Sequence, residues 1–246
     1  MSTAAAAVGL VAVIVAVGAL FPAVGHTIGT LDVPTSVANL LGGADYGTIT
    51  GWYRSEIAVI YAPLVIAALA ITGAAAVTAG EEEDRILALV LAHPIRRSRL
   101  LTAKAAAVAL IVLVIALAVW VGMIVGVAVG GGGITTRHIT AFALQLAFFG
   151  LATGAVSLAL GGGTGRRSLA AGGAAAIAIL GWLVNSFAPL VGAVAWLKYL
   201  TLFHYYAGHD PLTRGPGIPG LIVLGLVTLV LTAGAIIGFD RRDLRA

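Results

Sequence analysis

The sequence predicts an all-α membrane protein that crosses the bilayer six times. Of its 246 residues, 60% are hydrophobic and only 10% are charged, whereas a soluble domain carries about 25% charged residues because water meets its whole surface. Six runs without charged residues are each long enough to cross the hydrocarbon core, which takes about 20 helical residues. Because the backbone in lipid must satisfy its own hydrogen bonds, we expect these runs to be helices.

The predicted spans follow one another closely along the chain. They cover residues 4–24, 57–80, 105–129, 139–161, 168–188 and 217–238. The first is interpreted as a retained helix rather than a signal peptide, because no Lys or Arg precedes Arg54 and its apolar run exceeds that of a signal peptide. The third is expected to end at the glycines 130–133. Small-residue runs such as 170–176 favour close approach of helices in a bilayer.

The Lys and Arg residues predict the orientation, since they concentrate on the cytoplasmic side. Ten of them lie in the second connection, the fourth connection and the C-terminal tail, and four lie in the other three connections. Both termini are therefore expected in the cytoplasm of a prokaryotic cell, with the chain in the plasma membrane. This distribution accounts for the net charge of +4 without a nucleic acid as partner.

The second connection, residues 81–104, holds nine of the 24 Asp, Glu, Lys and Arg residues. It opens with four acids at 81–84, and negative charge is favourable at a helix N-terminus. Apolar residues then recur at i, i+3 and i+4 from Ile86, which predicts a helix with one apolar face, and Pro94 ends it. An amphipathic helix packs against the membrane surface or a partner protein. The acidic polar face favours the partner protein.

This segment resembles the first cytoplasmic region of permease subunits of ABC-2 type transporters. In that family an acidic pair, a short helix with leucines, a proline, an arginine and a lysine follow one another between the second and third spans. The matching residues are Glu82, Glu83, Leu87, Leu89, Pro94, Arg97 and Lys104. The chain departs from the family at Arg85-Ile86, where Gly-Thr is usual. Family members also begin with a basic elbow helix, and a truncated start and an absent elbow both stay open here.

The resemblance implies a division of labour between subunits. The permease forms the pathway, and a separate ATP-binding subunit holds ATP and Mg and grips a cytoplasmic coupling helix between the second and third spans. A second permease subunit, identical or different, completes the pathway. Short external helices are expected before the sixth span, in residues 196–215. The implied coupling residues are Glu82, Glu83, Leu87, Leu89, Val90, Pro94, Arg97 and Lys104.

The chain itself lacks a recognisable phosphate-binding loop. No G-x-x-x-x-G-K-[ST] motif occurs in it, and such a loop is what cradles nucleotide phosphates. The run GGGTGRRS at 161–168 is rich in glycine but has no Lys-Ser or Lys-Thr pair. We interpret it as a cytoplasmic turn, and we expect this chain to bind no cofactor and to catalyse no reaction.

Polar residues elsewhere in the chain leave alternatives open. Gln145 and Asn185 lie within predicted spans, where polar side chains either line a pathway or bond to a neighbouring helix. His204, His209 and Asp210 resemble metal ligands in type, but they lack helical i, i+4 spacing, and no metal site is expected. Ser186 with His204 lacks the other groups that a protease needs.

Two other classes of membrane protein compete with the permease interpretation. An ion-coupled secondary transporter commonly needs ionisable groups near the middle of its spans, and the six spans contain none. Glu56, beside Arg54 at the edge of the second span, is the nearest acid and is interpreted as its interfacial partner. A membrane scaffold or mechanotransmitter that docks an extracytoplasmic partner, for instance through residues 25–56, is the other alternative.

Overall fold

The computed structural model describes residues 3–25, 27, 46–83 and 96–241. This part of the chain forms helices and connecting turns without any strand, and six of the helices are long and apolar enough to cross a membrane. The six are α1 (Thr3–Gly25), α2 (Ile49–Glu83), α3 (Arg97–Val129), α4 (Thr136–Thr164), α5 (Arg167–Phe187) and α8 (Ile218–Arg241). The predicted fold class is confirmed.

Two short helices lie between the fifth and sixth long helices, as predicted. They are α6 (Leu202–Ala207) and α7 (Pro211–Arg214), and a 3₁₀ segment at Gly192–Leu200 precedes them. The predicted coupling helix falls largely in residues 84–95, which lie outside the described residues. Its existence therefore stays a prediction.

Two long helices begin earlier than their predicted spans. Helix α2 begins at Ile49 rather than at residue 57, and α3 begins at Arg97 rather than at residue 105. Charged residues end an apolar run, but they are compatible with a helix that continues beyond the hydrocarbon core. The start of α2 is capped by Thr48, whose hydroxyl accepts the backbone N–H of Gly51 at 3.1 Å.

Helix α3 ends at the glycine cluster, as predicted. Gly131, Gly132 and Gly133 have φ angles of 99°, 81° and 114°. These values lie in the region that glycine adopts readily and other residues avoid. The run therefore turns the chain sharply from α3 into α4.

Helix α4 lies at the centre of the bundle. In its most apolar stretch 67% of the residues are buried, compared with 17% in α1 and α5 and 11% in α8. It packs against α2, α3, α5 and α8 and also against the short helices α6 and α7. The outer faces of α1, α5 and α8 are left for lipid or another subunit.

A close helix contact joins α1 to α3. Gly122, Gly126 and Gly130 follow one another at four-residue spacing, and Gly122 and Gly126 lie against α1 at Ile14. A methyl group added at Gly126 would lie 2.9 Å from the Ile14 carbonyl oxygen. Tyr53 of α2 fills the remaining gap and donates its hydroxyl to that carbonyl at 3.1 Å. This is the small-residue packing typical of membrane helices.

The run 170–176 contacts the neighbouring helices on one face, where Ala170 and Ala174 are buried. A side chain added at Gly172 would meet nothing within 4 Å, while one at Gly173 would meet Leu160 of α4. Small residues therefore allow close approach only on the side of a helix where a neighbouring helix packs.

The bundle has two ends of different construction. We call the first the charged end; it comprises residues 80–83 of α2, 97–104 of α3, 161–167 around the α4–α5 turn and 235–240 of α8. We call the second the capped end; it comprises the start of α2, the α3–α4 turn, α6, α7 and the start of α8.

Candidate coupling site at the charged end

The last turn of α2 carries three successive glutamates in three different environments. The carboxylate of Glu81 lies 2.7 Å from the Lys104 ammonium. Glu82 is buried, while Glu83 is exposed and accepts a hydrogen bond from the backbone N–H of Arg167 at 2.9 Å. One turn of helix thus contacts α3 through one acid and α5 through another.

The Glu81–Lys104 pair ties α2 to α3. The Lys104 side chain is only 10% exposed and that of Glu81 29%, so water screens this pair less than an ordinary surface pair. The resemblance included Lys104 among the coupling residues but not Glu81. A signal for Glu81 exists in the sequence: it is the first charge after one span, and Lys104 is the last charge before the next. Two such residues on antiparallel neighbours lie at the same depth.

Glu83 caps helix α5 from outside that helix. The residue that precedes α5, Arg166, is extended (φ −117°, ψ 112°) and its side chain makes no capping hydrogen bond. The first N–H groups of a helix have no partner within it, and an acceptor with negative charge there is stabilising. Glu83 provides this acceptor for Arg167, the first residue of α5.

Apolar packing continues beneath these charges. One buried cluster at this end joins α2, α3, α4 and α8, and its members are Ala74, Leu101, Val108, Leu158, Ala235 and Phe239. Thr78 of α2 lies directly against Gly161 of α4. The polar contacts of the glutamates therefore rest on a packed base.

The structure brings together part of the predicted coupling set. Glu82, Glu83 and Lys104 lie at the charged end, and Arg97 is the first residue of α3. Leu87, Leu89, Val90 and Pro94 lie outside the described residues. Their role, and that of the whole set in binding an ATPase, stays a prediction.

The glycine run at 161–168 belongs mostly to a helix. Helix α4 continues to Thr164, and α5 begins at Arg167, so Gly165 and Arg166 alone make the turn. Gly162 lies beneath α8, where an added methyl group would be 3.3 Å from the Ala235 carbonyl oxygen. The glycines thus serve helix contact in this structure.

The capped end is joined to the spans by several long-range contacts. Arg54 of α2 lies 2.9 Å from the Asp210 carboxylate, which also accepts the Thr213 hydroxyl at 2.6 Å. The predicted partner of Arg54 was Glu56; the carboxylate that it contacts is Asp210. The Tyr206 hydroxyl donates to the Ala58 carbonyl at 2.6 Å.

Gln145 is fully buried in α4 and donates from Nε2 to the Tyr205 carbonyl at 2.5 Å. Among the described residues its Oε1 has no hydrogen-bond partner. Asn185 is half-buried in α5. The amide of Gln145 therefore joins α4 to α6, and a pathway role for either residue stays a prediction.

The histidines near α6 are engaged in ring contacts and packing. The His204 ring meets the Tyr199 ring edge-on, with centroids 4.8 Å apart, and His209 lies against Gly217. The pKa of His204 is lowered, first by burial of the His204 ring and then by the nearby positive charge of Lys198. In the described part of the chain no three His, Cys, Asp or Glu side chains are grouped as metal ligands.

Comparison with known proteins places these observations in a family. No curated protein matches the chain. The family model described as ABC-2 family transporter protein matches residues 1–244, which is almost the whole sequence, and members of this family are membrane transport components. The chain therefore belongs to the ABC-2 family of transporter proteins and is a multi-pass transmembrane permease.

Proposed function

We propose that this permease couples to a separate ATP-binding subunit through its charged end and serves export. In this proposal the charged end faces the cytoplasm, the ATPase binds the segment between α2 and α3, and a second permease subunit, identical or different, completes the pathway. ATP and Mg²⁺ are held by the partner. The family match supports an association with an ATP-binding subunit.

The last turn of α2 is the observation that carries the proposal. Glu81 contacts Lys104 of α3, and Glu83 contacts Arg167 of α5. The segment that joins α2 to α3 therefore begins at a turn that is bonded to two further long helices. A force applied to that segment by a motor protein would act on three long helices together.

The distribution of charge favours this function over an ion-coupled carrier. The ionisable groups of the described long helices, such as Arg54, Glu81 and Lys104, lie near the helix ends. A carrier that uses an ion gradient commonly places such groups near the bilayer midplane. An external energy source is the simpler arrangement for this chain.

The proposal is tested by placing a charge on the apolar face of the predicted coupling helix. Leu89→Asp should leave membrane insertion intact, since residue 89 lies between the second and third predicted spans, 57–80 and 105–129. It should abolish co-purification with the ATPase subunit and the stimulation of ATP hydrolysis by the permease, because a few buried apolar anchors dominate small interfaces.

Ser168→Asp is the matched control. Residue 168 is exposed in the first turn of α5, where an added negative charge is favourable, and it lies at the same end of the bundle. Binding and stimulation should be unchanged. If Leu89→Asp binds and stimulates the ATPase as the parent does, the coupling assignment is wrong, and a carrier or scaffold role gains support.

A further inference from the structure

We infer that Glu83 is a positioning residue that latches α5 to the last turn of α2, from which the segment between α2 and α3 (the coupling segment) begins, so that α5 is the helix that the motor moves. This inference rests on the proposed function and adds which contact carries the motion and which helix receives it. Glu83 then acts within the permease rather than as a contact with the ATPase.

The latch joins two points that are distant in sequence. Glu83 is the last residue of α2, and its Oε1 lies 2.9 Å from the backbone nitrogen of Arg167. The Arg167 side chain also passes close to Gly80, where an added methyl group would lie 3.5 Å from its Cδ. Because the bond ends on the backbone at the start of α5, a displacement of Glu83 pulls on the helix itself.

The residues that directly precede helix α5 supply no side-chain acceptor for its first N–H groups. Its preceding residue, Arg166, supplies no side-chain cap, and only Gly165 and Arg166 separate it from α4. The carboxylate of Glu83 therefore satisfies a free N–H and opposes the positive end of the helix dipole. Loss of that carboxylate leaves the start of α5 without this acceptor.

The packing of α5 suits it to movement. Its buried positions are all small residues, namely Ala170, Ala174, Gly181 and Ser186. Several larger apolar residues, such as Leu169, Ile177 and Leu180, are exposed, and Trp182 is half-buried against the core. Small residues on the buried face offer few interlocking side chains, so α5 can shift or pivot against α2 and α4 with few large groups to repack.

Helices α2 and α3 form the contrasting rigid pair. They are joined by Glu81–Lys104 at the charged end. At the capped end Tyr53 is fully buried and lies directly against Gly126 of α3. Helices α2 and α3 should therefore stay together as a unit, while a displacement of the coupling segment is passed through Glu83 to α5 and is expressed as a shift of α5 relative to α3.

The test measures that shift directly in the complex of the permease with its ATPase. The chain contains no cysteine, so Arg99→Cys and Ser168→Cys can carry a pair of spin labels at exposed sites on α3 and α5. The distance between the labels is measured by pulsed electron paramagnetic resonance, without nucleotide and with a non-hydrolysable ATP analogue. We expect the analogue to shift the distance in the parent.

Glu83→Ala should abolish this shift while the ATPase still co-purifies. Glu83→Gln keeps an acceptor oxygen for the Arg167 N–H and should restore the shift in part. Asp240→Ala is the matched control, because it removes an exposed carboxylate at the same end, on α8. It should leave the shift unchanged.

Three outcomes would overturn the latch. The first is a shift that persists in Glu83→Ala, and the second is loss of ATPase binding in that variant, which would make Glu83 a direct contact. The third is a parent complex that binds the ATPase but shows no shift. Failure of the proposed function is distinct, since it appears as Leu89→Asp without effect on ATPase binding.

Discussion

The two ends of the bundle are held by different forces. At the charged end, contacts between helices rest on carboxylates at the end of α2, and Glu83 is exposed. At the capped end, α6 is inserted among the long helices, and Tyr206 and Phe203 are buried there. An exposed contact such as Glu83–Arg167 is screened and contributes little, whereas buried aromatic groups contribute much more. The charged end is thus suited to rearrange at the start of α5, and the capped end is suited to stay fixed.

Tyr206 is the centre of the capped end. It is 1% exposed, its ring centroid lies 4.9 Å from that of Phe149, and it also contacts Phe142 and Phe203. Burial raises the pKa of its phenol well above the usual value. The hydroxyl therefore stays protonated and keeps donating to the Ala58 carbonyl at any physiological pH.

The largest expected effect comes from removing this side chain. Tyr206→Ala should lower the free energy of unfolding by about 3–5 kcal/mol, the usual cost of deleting a buried aromatic side chain. Unfolding is followed by tryptophan fluorescence as a denaturing detergent is titrated into mixed micelles. Tyr199→Ala is the control, because that ring is 54% exposed, and it should change stability little. Equal effects of the two variants would contradict a rigid capped end.

A second substitution tests the rigid contact between α1 and α3. Gly126→Ala forces a methyl group against Tyr53 and the Ile14 carbonyl and should cost about 1–3 kcal/mol in the same unfolding measurement, as overpacking does. Gly234→Ala in α8 is matched, since nothing lies within 4 Å of the added methyl group. It should be neutral or slightly stabilising. A neutral Gly126→Ala would show that this contact is loose.

The smallest effect is expected at the ion pair of the capped end, Arg54–Asp210. Asp210→Asn keeps a residue that tolerates the positive φ of 54° and removes the charge that faces Arg54. The Arg54 side chain is 34% exposed and that of Asp210 13%, so water still reaches the pair from the arginine side. The loss of stability should be about 1 kcal/mol and should shrink in high salt. A loss larger than that of Gly126→Ala would mean that ionic contacts hold this end as well.

The positions of the long helices could be predicted because bilayer thickness and backbone hydrogen bonding leave few choices for an apolar run. Their ends were less predictable. Helix α2 begins before Arg54 and Glu56, because a charged residue at the membrane edge ends the apolar run of the sequence but does not end the helix. The turn at the glycines 131–133 was predictable because those positive φ angles depend on local chemistry.

Hydropathy alone could not predict which helices pack against one another or which one lies at the centre of the bundle. All six spans are strongly apolar, so nothing in composition marks α4 as the central one. In the stretch 204–210 the histidines and Asp210 resemble metal ligands in type, yet Tyr206 is the residue most deeply buried there. Partners such as Arg54–Asp210 and Glu83–Arg167 depend on tertiary contacts between segments far apart in the chain.

The orientation of the two ends is the central claim, because a motor that uses cytoplasmic ATP can grip only the end that faces the cytoplasm. Single cysteines at Ser98→Cys, in α3 at the charged end, and Thr213→Cys, in α7 at the capped end, are treated in intact cells with a membrane-impermeant thiol reagent. We expect labelling at residue 213 and protection at residue 98 until the membrane is permeabilised. Labelling at residue 98 in intact cells, with residue 213 protected, would contradict this orientation.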